Sequence, residues 1–351
     1  RMDLYPIAIL YYLFCPNVIQ WPVNDNKVSL KLENLSALNQ LATGQAHNAM
    51  VDVIATVELA KRFKQETKMW DYVRGYFDKK TELERLNQLS PAYQHIDAGV
   101  KEALLIHGKL GSTNYFQAPA LALGPHQIYK NQSLWLRLDH SKLSKLDHKE
   151  FAQQAFVFRK RHAEAPILLP TIPRFLKYLS PERNALVNAN KEFLAEHPEL
   201  LKSLCDYHQN YIYPNLENVD LDAALYQRGF PSTFEEQLNA QFHCNPPNGL
   251  INLLTRFSNN QQLSQAIRVL GRHHPELLNE EQSRQFKDYL ARCYGEEDII
   301  DYKGEPRLTL NKALTQIDEI TEKQNLDTQQ KALLSELKTY LENLSLLGSK
   351  I

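Results

Sequence analysis

The sequence has few cysteines and no CxxC pair. Its four cysteines, Cys15, Cys205, Cys244 and Cys293, lie far apart in a chain of 351 residues. This spacing argues against both a disulfide framework and a cysteine zinc site. We therefore expect reduced, structural thiols in a cytoplasmic protein.

The sequence also lacks an excess of charge of either sign. Forty Lys and Arg residues face 41 Asp and Glu residues, for a formal net charge of -1. This balance argues against a strongly basic nucleic-acid coat protein. A local basic groove stays possible, because a total charge says nothing about its distribution.

No apolar run is long enough for a membrane span. The most apolar segment, RMDLYPIAILYYLFCP, is interrupted by Pro16 and has no basic region followed by a small-residue cleavage site. We therefore predict a buried helix or strand, and neither a signal peptide nor a membrane anchor. Because the segment starts without a cap or polar lead-in, we expect the chain to be a fragment.

The remaining pattern indicates an α+β protein of two or three domains. Residues 1–66 are predicted to be helical, strand signals dominate from about 69 to 175, and nearly everything from 181 onward is helical. The clearest strand is QSLWLRLDH, in which apolar and polar residues alternate. The clearest helix start is PSTFEEQL, where Ser232 and Glu235 have capping-box spacing.

One helix start carries candidate chemistry. In QAHNAMVDVIATVELAKRF, Asn48 is a good N-cap, which places Asp52 at about the fourth helical position. We expect Val51 and Ile54 to pack inward, while Asp52 and His47 converge at the mouth of the helix. Metal-assisted phosphodiester hydrolysis needs such a pair, a carboxylate for Mg²⁺ and a base for the attacking water. The alternative is a solvated helix cap, because this spacing alone is weak evidence.

The segment AHNAMVDVIATVELAK resembles the third motif of the exonuclease I family. Members of this family are single-strand-specific 3'→5' exonucleases of the DEDD group. Further segments along the chain resemble the family in the same order. QWPVNDN and LKLENL lie before this motif, and MWDYV, APALALGP and VDLDAALYQRGF lie after it.

The resemblance implies a fold of three parts around a single strand. These are the C-terminal part of a ribonuclease-H-like exonuclease domain (1–68), an SH3-like β-barrel domain (69–218) and a C-terminal α-helical domain (219–351).

The resemblance also assigns roles at the helix start. His47 would be the catalytic general base, and Asp52 a ligand of a two-Mg²⁺ site. The Asp-x-Glu motif and the second-motif Asp of the family have no counterpart in this sequence. One carboxylate cannot hold two metal ions, so we predict half an active site and no activity for the chain as given.

Three residues match strand-contacting positions of the family. They are Lys31, Lys79 and Asn131, whereas Ile9 stands where the family has a contacting Arg. A basic stretch surrounds Lys79: Lys61, Arg62, Lys64, Lys68, Arg74 and Lys80. A solvated helix face would explain this stretch equally well. Of the interleaved aromatic residues most are expected in the core, with Tyr115 or Phe116 as candidate base-stacking residues.

The family also binds the acidic C-terminal tail of the single-stranded-DNA-binding protein. Tyr72 and Lys101 match this partner site. Its arginines are replaced by Cys15, Ser180 and, approximately, Ala195, so we expect a weakened or rebuilt site.

Two functions therefore compete. The first is a monomeric Mg²⁺-dependent exodeoxyribonuclease of DNA repair and recombination. The second is a non-catalytic module that binds single-stranded DNA or a repair partner. An Asp-x-Glu motif upstream of Arg1 in the gene would favour the first, and its absence the second.

Overall fold

The computed structural model divides the chain into two compact units, Arg1–Ile212 and Tyr213–Ile351. It describes residues 2–44, 48–93, 100–213, 216–217, 219–224, 229–295, 299–323 and 325–348. Among these residues, no helix is both long and apolar enough to cross a membrane.

The first unit combines helices with a five-stranded sheet. Its helices are α1 (Leu4–Phe14), α2 (Leu32–Asn39), α3 (Ala49–Gln65), α4 (Thr67–Arg74), α5 (Lys79–Asn87), α6 (Phe151–Gln154), α7 (Pro173–Leu176), α8 (Pro181–Glu196) and α9 (Pro198–Gln209). Its strands are β1 (Val23–Asn24), β2 (Lys27–Val28), β3 (Glu102–Ile106), β4 (Gln117–Pro125), β5 (Gln132–Arg137), β6 (Val157–Arg161) and β7 (Ile167–Leu169).

The main sheet has the order β6-β5-β4-β3-β7, and each neighbouring pair is antiparallel. The central strands are almost continuously buried. One cluster of buried side chains joins the sheet to α1, α3 and α4, and another joins it to α8 and α9. The predicted strand in QSLWLRLDH is thereby confirmed as β5.

The apolar N-terminal segment is a buried helix, which settles the alternative that the sequence left open. The expectation that this segment starts without a cap is wrong, because Asp3 caps α1 by accepting a hydrogen bond from the backbone N–H of Tyr5 at 2.9 Å. Tyr11 is fully buried, and its ring stacks on Phe63 of α3 with a centroid distance of 4.3 Å. Its hydroxyl donates to the Phe63 carbonyl at 2.5 Å. This contact determines which side of α3 faces the core.

The predicted orientation of α3 is wrong for Ile54. Ile54 is 45% exposed, and Val51 is only partly buried beside Gly44. The buried positions are Ala55, Leu59 and Phe63, which recur every four residues. Several apolar residues of α3 therefore face outward: Met50, Val53, Ile54 and Val57.

The prediction that strands dominate from residue 69 is also wrong. Residues 67–74 and 79–87 form α4 and α5, and the first strand of the main sheet starts at Glu102. The cause is local, because Asp78 caps α5 by accepting from the backbone N–H of Thr81 at 2.8 Å.

The second unit is helical, as predicted. Its helices are α10 (Thr233–Cys244), α11 (Pro247–Leu254), α12 (Asn260–His273), α13 (Glu280–Tyr294), α14 (Leu310–Lys323) and α15 (Thr328–Gly348). The predicted capping box of Ser232 and Glu235 is present at the start of α10. At Gly271 a Cβ atom would lie 2.4 Å from the Phe286 ring, so α12 and α13 can pack closely there.

Candidate functional site

The start of α3 has the predicted cap. The Asn48 side chain accepts hydrogen bonds from the backbone N–H groups of Met50 (3.0 Å) and Val51 (3.4 Å). Asp52 is the fourth helical residue and is partly exposed. The N-terminal end of the helix dipole stabilises a carboxylate there. His47 lies outside the described residues, so its predicted convergence with Asp52 stays a prediction.

The described residues do not form a metal site. Among them, no group of three or more His, Cys, Asp or Glu side chains is arranged to hold a metal ion. A carboxylate such as Asp52 has the donor chemistry that Mg²⁺ prefers. A single carboxylate does not fit a two-metal centre, since it can neither neutralise nor position both ions.

Two of the predicted strand contacts lie together in the first unit. Lys79 is the exposed first residue of α5, and Asn131 is exposed in the turn before β5. The Asn131 carbonyl accepts a hydrogen bond from the backbone N–H of His162 at 3.1 Å. The charge of Lys79 acts on the same His162, where it helps to lower the pKa of the imidazole. Glu82 of the same helix lies 4.0 Å from His162, so α5 and the turn of Asn131 both lie next to this residue.

A buried ion pair holds this arrangement from beneath. Glu82 of α5 and Lys160 of β6 have fully buried side chains, and Oε1 and Nζ are 2.7 Å apart. The other Glu82 oxygen accepts from the backbone N–H of Ala163 at 2.6 Å. Lys160 Nζ also donates to the carbonyls of Arg161, at 2.7 Å, and Glu164. The pair thus joins the first turns of α5 to the connection between β6 and β7.

Burial acts on both members of this pair. It raises the pKa of the Glu82 carboxyl and lowers the pKa of the Lys160 ammonium. Each charge counters the effect of burial on the other. Removing one partner would leave an uncompensated charge in the interior.

The third predicted strand contact, Lys31, lies at the N-cap of α2. Its side chain is 75% exposed, and its ammonium lies 3.7 Å from the Glu33 carboxylate. Such an exposed pair contributes little to stability, so Lys31 is accessible to a phosphate. Ile9, by contrast, is fully buried in α1 and has no access to a strand.

The two predicted partner contacts, Tyr72 and Lys101, are both anchored to α5. The guanidinium of Arg85 donates to the Tyr72 carbonyl at 2.8 Å and lies 4.6 Å from the centroid of the Tyr72 ring. The Lys101 ammonium donates to the carbonyls of Leu86 and Asn87, at 3.1 and 2.6 Å. The C-terminal end of α5 therefore holds the charge of Lys101.

The replaced partner positions carry no cation. Cys15 ends α1 as a partly buried thiol whose pKa is raised by burial. Ser180 caps α8 by accepting from the backbone N–H of Arg183 at 3.3 Å, and Ala195 lies within α8. Lys177 is a cation three residues before Ser180, and its ammonium lies 4.7 Å from the centroid of the Tyr178 ring.

Most of the interleaved aromatic residues belong to the core, as expected. Trp70, Tyr76 and Phe116 are 8%, 1% and 4% exposed, so Phe116 is not a stacking platform. Tyr115 is 39% exposed and stacks on Tyr178 with a centroid distance of 4.8 Å. It keeps its accessible ring and stays a candidate.

The residues that hold α5 against the segment after β6 were not predicted from the sequence. Glu82, Lys160 and His162 matched no motif. The one available signal was weak: Lys160 follows Phe158 by two residues in VFRKR, so both lie on the same face of β6. A lysine on the inward face of a strand needs a buried partner.

Comparison with known proteins finds similarity to one family. The family model described as the exonuclease I C-terminal domain matches residues 219–344. The chain is also 27% identical over 305 residues to exodeoxyribonuclease I of Buchnera aphidicola subsp. Baizongia pistaciae, covering 80% of this chain and 59% of that relative. The chain is therefore similar to exonuclease I over most of its length. It spans about 59% of the length of that relative.

Solved structures of this family share the fold. Exonuclease I of E. coli in complex with a dA16 oligonucleotide has a TM-score of 0.74 at 20% identity, covering 98% of this chain and 73% of the other. A structure of SSB and exonuclease I with the inhibitor CFAM has a TM-score of 0.70 at 20% identity, covering 98% and 72%. The mixed helix and sheet architecture is confirmed. The division at residues 68 and 218 stays a prediction, although the family model also starts at 219.

Proposed function

We propose that the intact protein is a single-strand-specific 3'→5' exodeoxyribonuclease of DNA repair and recombination. In this proposal the present chain supplies a surface that binds the strand. Similarity to exonuclease I and the E. coli complex with an oligonucleotide support it. The observation that carries it is that α5, which begins at the exposed Lys79, and the turn of the exposed Asn131 both lie next to His162.

The chemistry of this surface suits a sugar-phosphate backbone. Lys79 presents a point charge at an exposed helix start, and the exposed side chain of Asn131 offers amide donors and acceptors. Contacts to phosphates give affinity without sequence preference. We therefore expect the surface to bind strands of any sequence alike.

In the intact protein, His47 is proposed as the base that takes the proton from the attacking water. Asp52 is proposed to contribute one carboxylate to an Mg²⁺ site. The described residues do not complete that site. Hydrolysis therefore needs carboxylates beyond those described.

The same observation favours the second candidate, a non-catalytic module. A chain that has the binding surface but lacks a group of acidic metal ligands would bind single-stranded DNA without cleaving it. Both candidates use the surface of Lys79 and Asn131, and they differ only in whether the strand is cleaved.

The proposed partner is an acidic C-terminal tail like that of SSB. A structure of exonuclease I together with SSB supports this proposal. Tyr72 would pack against the tail, whereas Lys101 is already held by carbonyls of α5. We expect weak binding, measurable by fluorescence anisotropy with a labelled acidic peptide. Tight binding that is unchanged in Tyr72→Ala would contradict this site.

Strand binding can be tested on the chain itself. Binding that neutralises phosphates falls with salt, with a log–log slope of about -0.7 per phosphate on single strands. Lys79→Ala should make this slope shallower by roughly the amount that one phosphate contact contributes. It should also weaken the binding of oligonucleotides to the same extent whatever their sequence. Fluorescence anisotropy with a labelled oligonucleotide across a salt series measures both effects.

The matched control is Lys287→Ala, which removes the same charge from an exposed position of α13 in the other unit. It should leave the slope unchanged. Duplex DNA should bind less well than single strands, because paired bases do not reach aromatic faces. Equal affinity for single strands and duplex, with a slope unaffected by Lys79→Ala, would rule out this surface.

A further inference from the structure

His162 lies next to both elements that carry the proposed surface, and it belongs to none of the sequence segments that resemble the family. Its side chain is 9% exposed, and its backbone N–H donates to Asn131. Nδ1 is buried and has no hydrogen-bond partner within the described part of the chain. The nearest acidic atom is Glu82 Oε2, 4.0 Å away. A buried imidazole nitrogen without a partner is unusual and calls for an explanation.

The two ring nitrogens diverge, so they can serve two groups at once. With Nδ1 beside the Glu82 carboxylate, Nε2 is directed away from the buried ion pair. Lys79, on the same helix as Glu82, and Asn131, whose carbonyl accepts from the His162 backbone, are both exposed. A neutral ring can donate from only one nitrogen, whereas a protonated ring can donate from both.

We propose that His162 is a phosphate contact of the strand-binding surface, next to the elements that carry Lys79 and Asn131, an inference that rests on the proposed function. The protonated ring donates from Nε2 to a phosphate oxygen and from Nδ1 toward Glu82. The buried pair of Glu82 and Lys160 positions the ring by holding α5 against the connection between β6 and β7.

The charges around His162 make the strength of this contact depend on pH. In the unbound protein, burial lowers the pKa of the imidazole, and the charges of Lys160 and Lys79 lower it further. The ring is therefore neutral at pH 7. A bound phosphate offsets the charge of Lys79 and favours the imidazolium, so its pKa rises on binding. Binding then takes up a proton, and affinity increases as pH falls.

The test measures the Kd for a labelled oligo(dT) between pH 8 and pH 5.5. Thymine is a suitable base because it does not titrate in this range. The wild-type Kd should fall with decreasing pH, by at most about tenfold per pH unit for one proton. His162→Gln keeps a neutral donor near the position of Nε2. It should match the wild type at pH 8 and bind roughly tenfold less tightly at pH 6.

The matched control is His208→Asn. His208 is 8% exposed, and burial also lowers its pKa, but Nε2 lies 2.8 Å from the Ala152 carbonyl between α6 and α9. This variant should keep the wild-type pH dependence. Thermal unfolding of each variant checks that the fold is intact.

A second measurement needs no variant. The pKa of His162, followed by NMR of the ring Cε1 proton, should rise when oligo(dT) is added. Binding with an unchanged His162 pKa, or with equal pH dependence in His162→Gln, would overturn this inference and leave the proposed function standing. A complete absence of oligonucleotide binding would overturn both.

Discussion

Single residues decide where charge is available. Asp52 is accessible because the Asn48 cap places it on the outer side of the first turn of α3. Cys15 and Ser180 show the opposite effect, since neutral side chains occupy positions where the resemblance leads us to expect cations. One substitution can therefore remove a partner contact while the helix around it stays intact.

Residue-level predictions for catalysis apply to the intact protein. His47→Ala should lower kcat by roughly 100-fold or more while DNA still binds, because a general base acts in the transition state. Asp52→Asn should weaken metal binding and abolish turnover. Asp71→Asn, an exposed carboxylate on α4, is the control and should keep the wild-type rate. Near-normal rates of both site variants in steady-state kinetics would show that the start of α3 is only a helix cap without a catalytic role.

At the scale of secondary-structure elements, the pair of Glu82 and Lys160 determines how α5 packs. It has no access to solvent, unlike the pair of Lys191 and Glu102, which has the same 2.7 Å separation but is about 20% exposed. Burial makes the first pair costly to break, because the remaining charge cannot be hydrated.

We predict that Lys160→Met lowers the free energy of unfolding of the first unit by about 3–5 kcal/mol. The double variant Glu82→Leu/Lys160→Met should recover most of this loss, since no buried charge remains. Lys191→Met should cost only about 0–1 kcal/mol. Urea unfolding followed by tryptophan fluorescence tests all of these changes. A double variant as unstable as the single variant would show that hydrogen bonding, rather than charge burial, governs this site.

At the scale of the whole molecule, binding and hydrolysis need different parts of the site. The described residues include the proposed strand contacts Lys79 and Asn131, but no group of three or more side chains that could hold a metal ion. Two-metal hydrolysis depends on several carboxylates at once, whereas phosphate binding can proceed from a few independent contacts.

We therefore predict that the 351-residue chain binds single-stranded DNA without degrading it. With Mg²⁺ or Mn²⁺, no nucleotides should be released from a labelled oligonucleotide, while anisotropy reports binding in the same buffer. Exodeoxyribonuclease I of E. coli serves as the positive control. Metal-dependent release that disappears on adding a chelator would mean that the chain builds a complete site.

The sequence alone determined the local structure of this protein. Caps such as Asn48 and Ser232 predicted helix starts, because a side-chain oxygen and the first backbone N–H groups lie within one turn. Alternation of apolar and polar residues predicted the strand in QSLWLRLDH for a similarly local reason. The motif in α3 also indicated the family, since its residue types and spacing can be read from the sequence without knowledge of the fold.

Only the tertiary structure decided which faces are buried and which distant residues meet. Ile54 fits an inward position by hydrophobicity, but the stacking of Tyr11 on Phe63 fixes the rotation of α3 and leaves Ile54 outside. Lys79 and Asn131 are 52 positions apart in the sequence. The elements that carry them both lie next to His162 because α5 packs against the segment after β6, and a contact between distant segments has no local signature.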